Sequence, residues 1–161
     1  MSSALRFCLA LLLVLLMVPS AGRAEQETHA QIVPDEVLEK LQAAAIQHES
    51  IALLLEEQKF QAVIPELKSI FDLGLPQSYE VYQVQEVQVV AQRLREKRQF
   101  SIAHSVVELG LKYLQGDRSR ASLYLLKSQL YRDNAQIREA TEATELAKKL
   151  YQNSLKGART Q

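Results

Sequence analysis

From Pro34 onward, apolar residues recur three and four apart in six bursts separated by short polar or glycine-bearing breaks. That spacing puts them on one face of a helix. Pro34-Asp35-Glu36 sets a helix-compatible proline and two acids at a start, and Val37, Leu41, Ala44, Ile51, Leu54 and Leu55 carry a first helix to about Gln58. The second burst, FQAVIPELKSIFDLG, places Val63, Ile64, Leu67, Ile70 and Phe71 at helical intervals, and Gly74 with Pro76 just beyond stops it. An interior proline costs about 3 kcal/mol, so with Pro65 this helix either starts late, near Ile64, or kinks there.

A third helix, with Ser78 as its expected cap, runs through Tyr82, Val84, Val87, Val90, Ala91 and Leu94 into the charged run Arg93 to Arg98. Tyr79 to Val90 also alternates for several residues, as a strand would; the continuation through Ala91 to Glu96 favours the helix. The fourth carries Phe100, Ile102, Ala103, Val106, Val107, Gly110, Leu111 and Leu114 and is halted by Gly116. Asp117 or Ser119 caps the fifth, which holds Leu123, Tyr124, Leu126, Leu130 and Tyr131 before Asp133-Asn134 breaks it. The sixth, Ile137 to about residue 152, gives way to a polar tail, Asn153 to Gln161. Three helical hairpins result, an all-α chain with a helical domain over residues 34–152.

The hairpins are self-similar. Their second helices begin at Phe60, Phe100 and Ile137, at intervals of 40 and 37 residues, and the third residue onward in each is Val63, Ala103 and Ala140. Ile70, Gly110 and Ala147 share another matching place. In the first helices, Val87, Val90, Ala91 and Leu94 of the second hairpin match Tyr124, Lys127, Ser128 and Tyr131 of the third. This pattern resembles the tetratricopeptide repeat, whose second helix reads Tyr-x-x-Ala-x-x-x-Phe-x-x-Ala. The resemblance covers about Ala43 to Tyr151. Lys127 departs from it, Ser50 and Pro65 break it in the first hairpin, and both intervals exceed the family period of about 34. Small residues at Ala91 and Ala103, or Ser128 and Ala140, let two helices approach, while Gly110 and Ala147 admit the next pair.

The resemblance implies a right-handed superhelical array of about three antiparallel helical hairpins, an α-α solenoid whose first helices line a concave, partner-binding surface. The second hairpin then offers Gln85, Gln88, Gln92 and Arg95, which at spacings of three, four and three share one helix face. The third offers Ser122, Leu125, Gln129 and Arg132, and the first His48, Ala52 and Leu55. Glutamine amides both donate and accept, which suits a peptide backbone, and Arg95 and Arg132 could take a carboxylate. The plainer alternative is that these glutamines only solvate a helix surface.

Composition narrows the function. The chain has 161 residues, 47% of them apolar, and zero formal charge without a basic or acidic block, which disfavours nucleic acid as a partner. Arg6, the apolar run Phe7 to Val18 and the small residues Gly22 and Ala24 read as a signal peptide over residues 1–24, cleaved after Ala24. The run is too short to span a bilayer. Residues 25–33 read as a flexible leader. Cleavage removes Arg6 and Arg23 and no acid, leaving a net charge of −2, and takes away Cys8, the only cysteine. The exported chain then has no disulfide and no thiolate ligand, which with the compact signal favours a bacterial periplasm over other secreted locations.

No catalytic, cofactor or metal site is expected. His48-Glu49 is followed by Ala52, so the zinc-protease pattern fails at its second histidine. His29 lies in the leader, and His104-Ser105 lacks an orienting acid and reads as an ordinary helix-surface histidine. The expectation is an exported, non-enzymatic interaction module that binds a peptide or protein. The alternative is a self-assembling envelope component, with Leu146, Leu150 and Tyr151 marking the edge that pairs with another copy.

Overall fold

Six α-helices and two short 3₁₀ turns, with no strand among them, form the described part of the chain, residues 34–157 of a computed structural model. They are α1 (Asp35–Glu56), α2 (Val63–Asp72), α3 (Glu80–Glu96), α4 (Phe100–Tyr113), α5 (Asp117–Asp133) and α6 (Ile137–Gly157). The expected signal peptide, the leader and the last four residues of the tail lie outside the described residues.

Each helix pair is closed by the same turn. At the end of α1 the amide of Lys59 donates to the carbonyl of Leu54 (2.8 Å) and that of Gln58 to Leu55 (3.4 Å). The ends of α3 and α5 repeat this, Gln99 to Leu94 with Arg98 to Arg95, and Gln136 to Tyr131 with Ala135 to Arg132. This crossed pair of bonds satisfies carbonyls that the helix leaves open, and it needs a left-handed residue at its centre. Gln58, Arg98 and Ala135 occupy that place with φ of 59°, 58° and 58°. A side chain there is strained by about 1 kcal/mol, a cost glycine avoids. Ala135→Gly should therefore stabilise the protein by about 0.5–1 kcal/mol, read as a higher melting temperature; an unchanged or lower one would contradict the turn geometry.

Pro65 is accommodated by a late start. The 3₁₀ turn Phe60–Ala62 leads in, and α2 begins at Val63, so Pro65 lies in the first turn where its missing N–H has no partner to lose. The strand alternative for Tyr79 to Val90 gives way to helix. Val84, Val87, Val90, Ala91 and Leu94 form one buried stripe of α3, and alternation would have exposed half of them.

Three local expectations are corrected. Ser78 does not cap α3, since it sits within the 3₁₀ turn Gln77–Tyr79 and no side chain caps that helix start. The cap position of α5 is Gly116, with Asp117 and Ser119 already helical. Helix α6 runs to Gly157, past Asn153 where the tail was expected, and Gln152, Leu155 and Lys156 are the good helix formers that carry it on.

Helix α1 packs on α2 and α3; α3 packs on α4 and α5; α4 also meets α2 and α5; α6 packs on α5. The core holds Ile51, Leu67, Val87, Leu94, Val106, Leu123 and Leu130, each fully buried. Ala91 and Ala103 are fully buried, and side chains this small allow close helix approach. In the last pair the buried Ser128 hydroxyl donates to the Ala140 carbonyl at 2.9 Å and meets the Thr144 hydroxyl at 2.8 Å.

Bonds between successive pairs join residues 35 to 41 apart. Tyr113 donates to Asp72 (2.9 Å) while its ring stacks on Phe71 at 4.9 Å. Glu80 reaches Gln115, Gly116 and Ser119, His48 meets Glu86, and Arg95 meets Asp133.

Candidate functional site

A groove of about 640 Å³ lies between α3 and α5. From α3 it is lined by Gln88, Val89, Gln92, Arg93 and Glu96, and from α5 by Ser122, Leu125, Leu126 and Gln129. The core stripes of both helices face the other way, which leaves their polar faces to form the walls. Three apolar side chains break that polarity, the buried Leu126 at the edge of the core and two that stand open. Val89 is 42% and Leu125 50% exposed, so apolar surface stands open in the groove with amides on both sides. Such a surface offers hydrophobic contact at its centre and paired donors and acceptors at its rim.

The six residues expected at the binding face divide. Gln88, Gln92 and Gln129 come together in the groove, whereas Gln85 and Arg132 are exposed outside its lining. Arg95 is already engaged. Its guanidinium donates through Nε and Nη2 to the carboxylate of Asp133, the latter at 3.1 Å, and through Nη1 to Gln92 at 3.1 Å. The hydrogen bond to Arg95 holds the Asp133 carboxyl below its usual range. Arg95 is therefore not free for a partner's carboxylate, because Asp133, 38 residues away in sequence, supplies one from within the chain. Arg93, exposed and without an acid partner among the described residues, is the groove's open cation.

The residues of the first hairpin do not extend the groove. Leu55 is buried in the core, since it belongs to the stripe of Val37 and Ile51. His48 is committed to α3, its Nδ1 lying 2.9 and 2.7 Å from the two oxygens of Glu86. The hydrogen bond to Glu86 raises its pKa, burial opposes this, and the charges of Arg93 and Glu49 lower and raise it in turn. A raised pKa in the fold means that the protonated form is the stabilising one. This contribution is complete below pH 6.5, the ordinary value, and is lost as pH climbs through the raised one. The stability difference between the protein and His48→Gln, from urea titrations at several pH values, should be widest in acid and shrink as pH rises; a pH-independent difference would refute the pairing.

His104 is not the surface residue expected. It is half-buried on α4, its ring 4.6 Å from that of Tyr131, with Nε2 shut away from solvent and without a partner. Burial pushes its pKa down, and the nearby Lys127 charge adds to this. Burial alone would lower the Lys127 ammonium too, but the Glu108 carboxylate more than offsets it and the group is raised. Ser105 donates to the Ser101 carbonyl at 3.2 Å, so it is not positioned as a nucleophile for His104. Among the described residues no three His, Cys, Asp or Glu side chains gather as a metal site, and no helix is long and apolar enough to cross a membrane.

Val89, Arg93 and Glu96 are groove residues that spacing did not single out. Val89 carried a readable signal, being an apolar residue displaced from the stripe of Val84, Val87, Val90 and Leu94. On α6, Leu146 and Tyr151 are 45% and 49% exposed, and Leu150 is half-buried. No family model, curated protein or solved structure matches the chain.

Proposed function

We propose that the chain is an exported, non-enzymatic interaction module, an α-α solenoid of the tetratricopeptide type, that binds a peptide or protein segment in the groove between α3 and α5. The observation that carries this is the exposed pair Val89 and Leu125, bordered by the amides of Gln88, Gln92 and Gln129. An apolar side chain of the partner would displace water from that pair while its backbone bonds to Gln88 and Gln129, the amide of Gln92 being held between Arg95 and Glu96. Three like turns at intervals of 40 and 37 residues support the repeat reading. Export rests on the apolar run Phe7 to Val18 followed by Gly22 and Ala24.

The test replaces Val89 and Leu125, both exposed, by glutamate. The double variant should keep its helical circular dichroism and lose at least about tenfold in affinity for any partner captured by the parent. Undiminished capture would remove the groove from consideration. Charge reversal at Arg95 is the poorer probe, because it also breaks the bond to Asp133.

A further inference from the structure

The three turns define a register in which residues 40 and then 37 apart hold matching places. Applied to the bonds between successive helix pairs, it identifies what each pair presents to the pair before it and to the pair after it.

Arg95 reaches forward from α3 to Asp133 on α5. In the last pair the place of Arg95 is held by Arg132, and in the first pair the place of Asp133 is held by Glu56. Both are exposed, and neither has an ion partner among the described residues. His48 reaches forward from α1 to Glu86 on α3. The last pair holds Leu125 in the place of His48, and the first pair holds Ile46 in the place of Glu86. Leu125 is 50% and Ile46 73% exposed. Within α5 the place of Ile46 belongs to Leu123, which is fully buried against the preceding pair over Gly110 and Val87. Ile46 thus has the side chain of an inter-pair contact and, among the described residues, no pair in front of it.

Charge follows the same division. Asp35, Glu39 and Glu49 lie with Glu56 along the exposed side of α1, without a base among them. The last twelve residues of α6 carry Lys148, Lys149 and Lys156 and no acid.

We propose that these two ends bind each other between copies, α1 of a second copy docking behind the last pair as α5 docks behind α3, with Arg132 against Glu56 and Leu125 against Ile46. The interface is heterologous, so it propagates head to tail unless the rotation closes a ring. Leu125 also lines the groove between α3 and α5, whereas Ile46 and Glu56 lie outside it, so the variant at Ile46 and Glu56 separates this contact from partner binding in the groove.

Sedimentation velocity of the purified protein over a wide concentration range tests it. The mass should grow with concentration. Ile46→Arg with Glu56→Arg spoils one end, and Leu125→Glu with Arg132→Glu spoils the other. Each double variant should associate at least roughly tenfold more weakly than the parent, with unchanged circular dichroism since all four positions are exposed. An equimolar mixture of the two should recover association, because the new positive charges of one then face the new negative charges of the other. A protein that stays monomeric to millimolar concentration, an assembly that survives either double variant, or a mixture that fails to recover would each overturn the proposal. The last would indicate a symmetric contact between like faces.

Discussion

Leu123→Ala is expected to cost about 2–5 kcal/mol, a drop in melting temperature of roughly 10 °C for a domain of this size. Leu123 is fully buried where the second and third helix pairs meet. Its Cδ1 would lie only 2.8 Å from a Cβ placed on Gly110, and Val87 Cγ2 only 3.0 Å. Gly110 is thus a recess that Leu123 fills, and truncating the leucine leaves a void between helices that are already close. The pairing has a second consequence. Gly110→Ala alone gains up to about 1 kcal/mol of helix propensity but forces two buried side chains to move, and the net effect should be a loss. With Leu123→Ala present the nearer obstacle is gone and only Val87 must still give by a few tenths of an ångström. The double variant should then be more stable than the two single costs predict, a coupling of about 1 kcal/mol or more. Additive costs would mean that the leucine does not rest in the glycine's recess.

The six helices could be read from the chain because burial enforces one apolar stripe per helix, and a stripe is local information. The small residues Ala91, Ala103 and Ala140 were readable for the same reason, each repeating at a fixed distance from its turn. What escaped is non-local. Arg95 and Asp133 are 38 residues apart, and nothing beside either one announces the other; Asp133 next to Asn134 reads only as a helix end. His104 looked like a surface residue because Ser101 and Ser105 flank it on α4, whereas Tyr131 of α5 covers it. Half of the expected binding face lies in the groove for a related reason. A spacing of three and four puts Gln85 through Arg95 on one side of α3, but only the path of α5 decides which part of that side is walled, and it walls Gln88 to Glu96. The left-handed places at Gln58, Arg98 and Ala135 carry no glycine, so the usual residue signal for that turn was missing.

The cap of α5 is the sharpest of these non-local features and permits a prediction whose sign changes with background. Glu80, at the start of α3, accepts from the amides of Gln115 (3.0 Å) and Gly116 (3.1 Å) and from the hydroxyl of Ser119 (2.9 Å). These groups open α5, where unpaired N–H groups and the helix dipole favour an anion. Glu80→Ala withdraws the acceptor from all three donors, and with water replacing part of it the loss should be about 1–2 kcal/mol. Gly116 has ordinary backbone angles, φ −64° and ψ 129°, so alanine fits its conformation. A Cβ there, however, would lie 2.5 Å from Glu80 Oε2, and the carboxylate would have to leave. Gly116→Ala should therefore destabilise the parent by a similar amount. Once Glu80 is alanine the obstacle is gone, and the same substitution reduces only the freedom of the unfolded chain, a gain of about 0.4–1 kcal/mol. Urea unfolding of the parent, both single variants and the double variant measures the four corners. Gly116→Ala that destabilises in both backgrounds would show that something other than Glu80 requires the glycine.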